Sequence, residues 1–377
     1  MLMYESSFVF DFCCCLVLMA SILFEDAIPG KVVTGMVCIR EAIFKGMRGE
    51  STAWLMTAAV AVGFAIGAMQ ERASGQSAAQ QAAAPAQLVW LDTDIGDDID
   101  DAFALGLILR SPELHVLGIS TAFGDTEARA RILDRFLAAS SEKAIPVTAG
   151  VHTVTDNVMT QRVYGERFPA REYPDGVAAM LAEIRRHPGE ITLIAIGPLN
   201  NIGAAIDRDP ETFRQLRRVV MMGGSVERGY DGANGERRPA DAEWNINRDP
   251  KDAAKLFNAG VPIFMMPLDS TQIHLQSEAR EPIFAADNRI TDQLTLLYHQ
   301  WVANTPSHWT TPTLFDPVAA AYTFRPDLCP TQPMRIEVDN KGFTRKAQGK
   351  PNAEVCLKSD EAGFLKLLEE RLKQLGR

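Results

Sequence analysis

The sequence lacks a basic patch, the cysteine and histidine spacing of a zinc site, and any internal repeat. Its 377 residues carry a formal net charge of −10, and no run of Lys and Arg is interleaved with aromatic residues. This balance argues against a nucleic-acid polymer as the partner. No CxxC pair or Cys/His pattern indicates structural zinc. The hydrophobic share of 46% and charged share of 23% are ordinary for a globular protein, large enough for one large or two small domains.

Cysteine is also scarce in the larger part of the chain. Four of the six cysteines precede residue 47, which leaves Cys329 and Cys356. Outside the cytoplasm these two can form a disulfide, and two isolated buried thiols account for them equally well. The sequence leaves both alternatives open.

The first 87 residues differ in composition from the remainder. Residues 47–70 have a charged start followed by an apolar run with small residues, which is typical of a signal peptide or a membrane anchor. Residues 71–87 are rich in Ala and Gln and predict a flexible linker. Residues 1–46 are unassigned and fit a mis-called extension upstream of Met47. We therefore expect an exported or membrane-tethered protein, and a cytoplasmic one if the segment is no signal.

From residue 88 onward, short apolar runs alternate with amphipathic segments. The strand-like runs are QLVWLD, HVLGISTAFG, IPVTAG, ITLIAIG, RRVVMMGG and VPIFMMPLD, and helical segments cover 101–110, 126–140, 175–187, 199–216 and 249–259. This alternation predicts an α/β domain over 88–377, with an open, mainly parallel sheet and helices on both faces. We expect residues 290–377 to be irregular up to a final helix at 360–376, and residues 226–245 to form a long polar loop.

An unusual density of acid follows the first strand. Six aspartates lie between Asp92 and Asp101, flanked by the apolar runs LVWL and AFALGLIL. Two carboxylates about 5 Å apart repel by roughly 3 kcal/mol at an effective dielectric near 20. Since the flanks look buried, water alone is a poor explanation. A hard cation such as Ca²⁺ or Mg²⁺, or a carboxylate of raised pKa, would relieve the repulsion.

Two familiar aspartate motifs match poorly. An EF-hand requires a bidentate Glu at its twelfth position, where this sequence has Phe103 or Leu105. A phosphatase of the haloacid dehalogenase type also begins with strand-Asp-x-Asp, and Asp92 and Asp94 fit that start. That phosphatase motif does not include the four further acids that follow Ile95 here. The phosphatase is therefore the second hypothesis.

The fuller match is to a family of purine and pyrimidine ribohydrolases. The segment LDTDIGDDIDDAFAL resembles the amino-terminal signature of the inosine-uridine preferring nucleoside hydrolases. Four later segments resemble further blocks of that family in the same order: ITLIAIGPLNNIGAAIDRDP, RRVVMMGGSV, EWNINRDPKDAAKLFNAGVPIFMMPLD and FDPVAAAY. Together the blocks span roughly residues 88–325.

This resemblance implies a Rossmann-like core and a Ca²⁺ ion at the bottom of a pocket, where it binds ribose hydroxyls and a water. It implies Asp94, Asp101 and Asp316 as calcium carboxylates, with the backbone carbonyl of Ile196 as a further ligand. Asp100 is the matching general base. Because two extra residues follow Gly96, Asp97 or Asp98 is the alternative for either role.

The same resemblance implies contacts with the sugar. Asp125 lies where the family has Asn, Glu243 and Asn245 match the pair that binds the ribose, and Met222 matches an apolar wall. For Met222 core packing is the alternative, and for Glu243 a solvated loop charge. The resemblance further implies a nucleoside substrate and a homo-oligomer.

Two positions depart from the family pattern. Phe315 and Tyr164 stand where many members have histidines that activate the leaving base. His308 is the candidate substitute, and stacking by Trp309 or Tyr164 is another. Two function classes therefore remain: a Ca²⁺-dependent nucleoside hydrolase, and a nucleoside- or ribose-binding protein that has lost turnover. Asp100 favours the enzyme, whereas the changes at Phe315 and Tyr164 favour the binder.

Overall fold

The described part of the chain, which begins at residue 85, is organised around a nine-stranded sheet. The computed structural model describes residues 85–232, 235–305 and 309–374. Several predictions lie outside the described residues and stay predictions: the signal or anchor, the extension before it, nearly all of the linker, and His308. Within the described ranges, no helix has both the length and the apolar character needed to span a membrane.

The sheet is parallel over most of its width. In spatial order its strands run β3-β2-β1-β4-β5-β6-β9-β7-β8, and only β7 pairs antiparallel with its neighbours β9 and β8. The strands are β1 Gln87–Thr93, β2 Leu114–Thr121, β3 Val147–Ala149, β4 Thr192–Ala195, β5 Arg218–Met222, β6 Ile263–Met266, β7 Gln332–Val338, β8 Thr344–Ala347 and β9 Ala353–Val355. Strand order reverses between β1 and β4, the point at which ligands bind in open α/β sheets.

Helices connect most of the parallel strands. They are α1 Asp100–Leu109, α2 Thr126–Ala139, α3 Arg162–Glu166, α4 Gly176–Arg186, α5 Asn200–Arg208, α6 Pro210–Phe213, α7 Trp244–Arg248, α8 Pro250–Phe257, α9 Leu268–Thr271, α10 Ser277–Phe284, α11 Arg289–Asn304, α12 Phe315–Tyr322 and α13 Glu361–Leu372. A short 3₁₀ turn covers Pro326–Leu328.

Both faces of the sheet are buried, which explains why its strands are apolar throughout. Successive side chains of β1 point to opposite faces. Val89 and Leu91 lie in a hydrophobic core with helix α1, whereas Trp90 lies in a second core with helices α4 and α5. The prediction of an open, mainly parallel sheet with helices on both faces is confirmed.

Two local expectations are wrong. The helix expected over 199–216 is interrupted at Asp209, whose side chain caps α6, and Pro210 begins that second helix. Residues 290–377 are also more regular than expected. Apolar residues at Ile290, Leu294 and Leu297 follow helical spacing and are buried in α11, and β7, β8 and β9 extend the sheet.

The two cysteines form a disulfide. Cys329 follows the 3₁₀ turn and Cys356 follows β9, with their Cα atoms 5.7 Å apart. Closing a loop across 27 positions of sequence stabilises the fold by roughly 3–4 kcal/mol in the chain-entropy account. Of the two alternatives that the sequence left open, the structure has the disulfide.

Candidate active site

A cavity of about 1210 Å³ opens at the carboxyl ends of the central strands. Nine of the predicted site residues line it: Asp94, Asp98, Asp100, Asp101, Ile196, Met222, Glu243, Asn245 and Asp316. They come from the ends of β1, β4 and β5 and from the starts of α1, α7 and α12. The residues after β1, β4 and β5 come together because parallel strands end on the same edge of the sheet, and the packing of α12 adds Asp316 from more than 200 positions away.

The loop after β1 turns sharply at Gly96. Its φ is +122°, a backbone conformation that disfavours any side chain, and a Cβ there would lie 2.8 Å from the Ile132 side chain. The turn brings the chain back so that α1 begins at Asp100. Asp100 and Asp101 thus occupy the first turn of a helix, where the helix dipole favours negative charge.

Three carboxylates meet at this point. One oxygen each from Asp100, Asp101 and Asp316 lies within 4.8 Å of the others, and all three residues are buried. The Asp316 backbone N–H donates to Asp100 Oδ2 at 3.3 Å, and the Thr93 hydroxyl donates to Asp101. We call these three residues the acid trio.

The charges of the acid trio and of Asp94 are poorly compensated. Burial, and then neighbouring carboxylates, raise the pKa values of Asp100, Asp101 and Asp316 well above the ordinary range. Burial raises the pKa of Asp94 to about 7, although the nearby Arg129 guanidinium lowers it. Among the described residues, no Lys or Arg forms an ion pair with any of the four.

A divalent cation fits this set of donors. The trio presents hard carboxylate oxygens around one point, and the polar groups that touch them leave their charge unneutralised. Such oxygens are the ligands that Ca²⁺ and Mg²⁺ take, and a cation offsets the repulsion that raises the pKa values. Asp100 is therefore close enough to join the predicted ligands Asp101 and Asp316.

Asp94 lies on the β4 side of the trio. A Cβ added to Gly197 would lie 2.9 Å from both the backbone N and Oδ1 of Asp94, so only glycine permits this close approach. Ile196 precedes Gly197 and also lines the cavity. The Ile196 carbonyl accepts a hydrogen bond from Asn245 Nδ2 at 3.3 Å and keeps a second lone pair. Asp94 and this carbonyl thus belong to the same wall.

Asp97 differs from its neighbours because an arginine pairs with it. Arg129 Nη2 donates to Asp97 Oδ2 at 2.9 Å, and the arginine side chain is only 1% exposed. The same guanidinium donates to Phe123 O at 2.7 Å and to Ile95 O at 3.1 Å. Asp97 and Arg129 therefore hold the loop in shape, and Asp97 is a poor candidate for the base.

Asp98 lines the cavity but stays half-buried. Its Oδ1 accepts from the Ile99 backbone N–H at 2.7 Å. Burial raises its pKa to about 6, against the effect of hydrogen bonds from Ile99 and Trp301. Its position keeps it as the alternative to Asp100 as proton acceptor.

Asp92 does not line the cavity. Its Oδ1 accepts hydrogen bonds from the Ser120 hydroxyl and from Asn201 Nδ2, the latter at 2.7 Å, and the residue is fully buried. Burial raises its pKa to about 6. The phosphatase hypothesis needs Asp92 as the nucleophile. In the structure, its hydrogen bonds instead connect β1 to β2 and α5.

The predicted sugar contacts at α7 do reach the cavity. Glu243 caps α7 and accepts from the backbone N–H groups of Gly224 at 2.8 Å and Asn245 at 2.9 Å. Asn245 Nδ2 donates to the carbonyls of Ile196 and Met222, and the residue lines the cavity. Met222 is 3% exposed and supplies an apolar wall.

Two predicted substrate contacts lie elsewhere. Asp125 caps α2 through the Ala128 N–H at 3.0 Å and pairs with Arg162 at 3.0 Å, beside a separate depression. Tyr164 is fully buried, and its hydroxyl bonds to Gln293 at 2.8 Å beneath the Arg135 guanidinium. Both placements correct the sequence prediction, since a helix cap and a core hydroxyl partner hold these side chains away from the cavity.

The structure also adds residues that the sequence interpretation missed. His274, Tyr230, Trp244 and Arg248 line the cavity, and the Arg248 guanidinium stacks 3.6 Å from the Trp244 ring centroid. No sequence motif marks these four residues as part of a site. Arg129 was detectable, because an arginine on the apolar stripe of α2, with Ile132, Leu133 and Phe136, signals a buried partner.

Comparisons with known proteins agree with this geometry. A sequence model described as inosine-uridine preferring nucleoside hydrolase matches residues 89–366. The pyrimidine-specific ribonucleoside hydrolase RihA of Citrobacter koseri is 31% identical over 316 residues, which cover 75% of this chain and 97% of the relative. RihA of Escherichia coli O7:K1 is also 31% identical, covering 76% and 98%.

Solved structures share the fold. A plant nucleoside hydrolase, PpNRh1, superposes with a TM-score of 0.66 at 24% identity, covering 77% of this chain and 99% of its own. A purine-preferring ribonucleoside hydrolase from Gardnerella vaginalis gives a TM-score of 0.65 at 23% identity, covering 76% and 98%. The chain belongs to the inosine-uridine preferring nucleoside hydrolase family.

Proposed function

We propose that this protein hydrolyses the N-glycosidic bond of ribonucleosides, or of a related N-riboside, in a Ca²⁺-dependent reaction that releases base and ribose. Family membership makes it a hydrolase of N-glycosyl bonds. The observation that carries the finer proposal is the acid trio beside Asp94, in a cavity that also contains the predicted sugar contacts Glu243 and Asn245.

We assign the ion to Asp94, Asp101, Asp316 and the Ile196 carbonyl. Asp94 is assigned as a ligand because it lies against the Ile196–Gly197 backbone. When bound, Ca²⁺ supplies coordination sites for the vicinal hydroxyls of a ribose and offsets the repulsion among the carboxylates. Calcium suits the site better than magnesium because irregular carboxylate and carbonyl sets satisfy its flexible shell.

The protein's own groups then carry the reaction. Glu243 and the Oδ1 atom of Asn245 accept hydrogen bonds from sugar hydroxyls and orient the ring, and Met222 excludes water beside it. The carboxylates stabilise the positive charge that develops on the sugar as the C1′–N bond lengthens. Asp100 accepts the proton of the attacking water, with Asp98 as the alternative acceptor.

A nucleoside panel tests this proposal. Full-length protein stripped of metal is incubated with uridine, cytidine, inosine and adenosine, with added Ca²⁺ or with chelator, and reducing sugar is measured. We expect ribose release that chelation abolishes and Ca²⁺ restores. Tight nucleoside binding without any release of sugar would instead support the binding protein that Phe315 suggests. The panel also reports the preferred base, which differs between the pyrimidine-specific and purine-preferring relatives.

We further propose that the protein is exported or membrane-tethered and assembles as a homo-oligomer. The Cys329–Cys356 disulfide supports export, because disulfides persist in oxidising compartments. Fractionation of cells followed by amino-terminal sequencing tests the first proposal, and light scattering tests the second. A cytoplasmic, reduced protein would contradict export, and a monomeric mass would contradict the assembly.

A further inference from the structure

We propose that His274 donates the proton that the departing base takes up, a role that rests on the proposed hydrolysis. His274 lines the same cavity as the acid trio, although it lies outside the motifs that identify the family. The trio and Asp94 supply acceptors at one part of this cavity, and His274 supplies a ring nitrogen at another part.

The chemistry needs such a donor. Breaking the C1′–N bond leaves an electron pair on the base nitrogen, and an unprotonated base is a poor leaving group. At the two positions where histidine was expected, this chain has Phe315 and Tyr164. Phe315 carries no proton to give. Tyr164 is fully buried and its hydroxyl is bonded to Gln293, so it does not reach the cavity.

The local structure fixes the His274 ring beside the metal-binding region. Residues 273–275 pair antiparallel with residues 312–314, through Leu275 N–H to Pro312 O at 2.8 Å and Leu314 N–H to Ile273 O at 2.7 Å. His274 Nδ1 is 3.1 Å from the Thr313 hydroxyl. Nδ1 is thereby engaged, and Nε2 is the nitrogen left for a ligand.

Its pairing with Thr313 places His274 beside the chain segment that leads into α12 and Asp316. Thr313 precedes Asp316 by three positions, and three residues span at most about 10 Å. A carboxylate that contacts the sugar and the histidine that contacts the base can therefore bind the same nucleoside. His274 lines the cavity and is exposed, so solvent can return its proton after each turnover.

Other cavity-lining groups are worse donors. The guanidinium of Arg248 stacks on Trp244, and arginine does not release its proton near neutral pH. Burial raises the pKa of Tyr230 well above the ordinary value, so its phenol keeps its proton. Imidazole is the side chain that exchanges protons most readily between pH 5 and 8.

The step balances without any further reactant. The C1′–N bond breaks, its electron pair goes to the base nitrogen, and that nitrogen forms a bond with the proton from His274 Nε2. Water adds its oxygen to C1′ and passes one proton to Asp100. Exchange with solvent then moves a proton from Asp100 to His274, and the enzyme is restored.

The test compares leaving groups of different basicity. Full-length protein with Ca²⁺ and its His274→Ala and His274→Gln variants are assayed on uridine, inosine and p-nitrophenyl β-ribofuranoside. The nitrophenolate leaves without protonation. We expect kcat on the nucleosides to fall about 100-fold in both variants, whereas kcat on the nitrophenyl riboside changes by less than about threefold.

Two histidine controls accompany these variants. His152→Ala removes an exposed histidine beside the separate depression and should change neither reaction. His308→Ala tests the histidine that the sequence suggested as the donor. The midpoint of thermal unfolding with and without Ca²⁺ shows that each variant folds and retains its ion.

Several outcomes would overturn the proposal. Equal losses on nucleosides and on the nitrophenyl riboside would assign His274 a structural role. Unchanged rates in the His274 variants, or the selective loss appearing in His308→Ala instead, would place the donor elsewhere. If wild-type protein releases ribose from none of the substrates, the proposed function itself fails, a result distinct from either of these.

Discussion

The aspartates between the end of β1 and the first turn of α1 are of two kinds, with opposite surroundings. Asp97 is paired with the buried Arg129, whose guanidinium also binds the loop carbonyls. Asp100 and Asp101, three and four positions later, are buried against Asp316 without an ion pair to any described Lys or Arg. All three residues are aspartates, and only the presence or absence of an arginine partner distinguishes them. The paired acid stabilises the loop, and the unpaired acids are available to a cation.

This contrast also answers why so many carboxylates are placed next to a core. The Arg129 guanidinium offsets the charge of the Asp97 carboxylate, whereas three facing carboxylates repel one another. A divalent ion bound between these carboxylates would offset that repulsion. Under the proposed assignment, relief of this repulsion contributes to the affinity for the ion.

The largest expected effect comes from removing a carboxylate of the trio. Asp316→Asn should lower kcat by about 1,000-fold or more and weaken Ca²⁺ binding by at least about tenfold, because a distal charged ligand is lost. Steady-state kinetics and calorimetric Ca²⁺ titration measure the two effects. A variant that keeps wild-type Ca²⁺ affinity would show that Asp316 is no ligand.

Removing the charge of Asp97, the acid that is paired with Arg129, should lower the stability of the fold more than it lowers the affinity for Ca²⁺. Asp97→Asn leaves Arg129 buried without its carboxylate, and we expect a loss of about 3 kcal/mol in the free energy of unfolding. Ca²⁺ affinity should change far less than in Asp316→Asn. Urea unfolding and Ca²⁺ titration of the two variants side by side measure this. If Asp97→Asn instead lost Ca²⁺ binding and kept its stability, Asp97 would be a metal ligand and not the acid that stabilises the loop.

The stability of the metal-free protein should depend on pH in a direction set by the unpaired acids. Burial raises the folded-state pKa of Asp94 from 3.8 to about 7, so the protein prefers this group protonated. Its stabilising contribution is complete below pH 3.8 and is lost as pH rises through about 7. We therefore expect the contribution of these groups to fall between those two values in chelator.

Added Ca²⁺ should reverse this trend, because it binds the deprotonated carboxylates. The unfolding midpoint measured from pH 4 to 8, with chelator and with Ca²⁺, compares the two states. Asp94→Asn is the matched variant, and it should lose part of the decline seen in chelator. A Ca²⁺-induced rise in the midpoint that shrinks at higher pH would contradict the prediction.

The smallest effect is expected at Asp92. This acid belongs to the same run but is bonded to Ser120 and Asn201 outside the cavity. Asp92→Asn should cost about 1 kcal/mol of stability and leave kcat within about threefold of wild type. The phosphatase reading predicts that the same change abolishes an Mg²⁺-dependent release of phosphate. Assays of both activities in this variant decide between the two readings.

The sheet and most of its connections could be predicted from the sequence because apolar strands and amphipathic helices alternate clearly. The approach of Asp316 to Asp101 could not be predicted from local pattern. It depends on where α12 packs, and only the family resemblance suggested it. The argument against Asp97 as the base needed the position of Arg129, which comes from another helix, and Asp98 stays the alternative to Asp100.

The errors have a common physical cause. A motif position fixes where a residue lies along the chain and does not fix its partner. Asp125 bonds to the first turn of α2, and Tyr164 to a glutamine of α11, so neither side chain turns to the cavity. His274 was missed for the opposite reason. It reaches the cavity through pairing of residues 273–275 with 312–314, which no local pattern reveals.

The most direct measurement of the central claim is a calorimetric titration of metal-stripped, full-length protein with Ca²⁺ near pH 7, in buffers of different ionisation enthalpy. We predict one ion per chain, release of protons on binding, and loss of both signals in Asp316→Asn. Absence of Ca²⁺ binding, or binding that the asparagine variant retains in full, would contradict the assignment of these carboxylates to a metal.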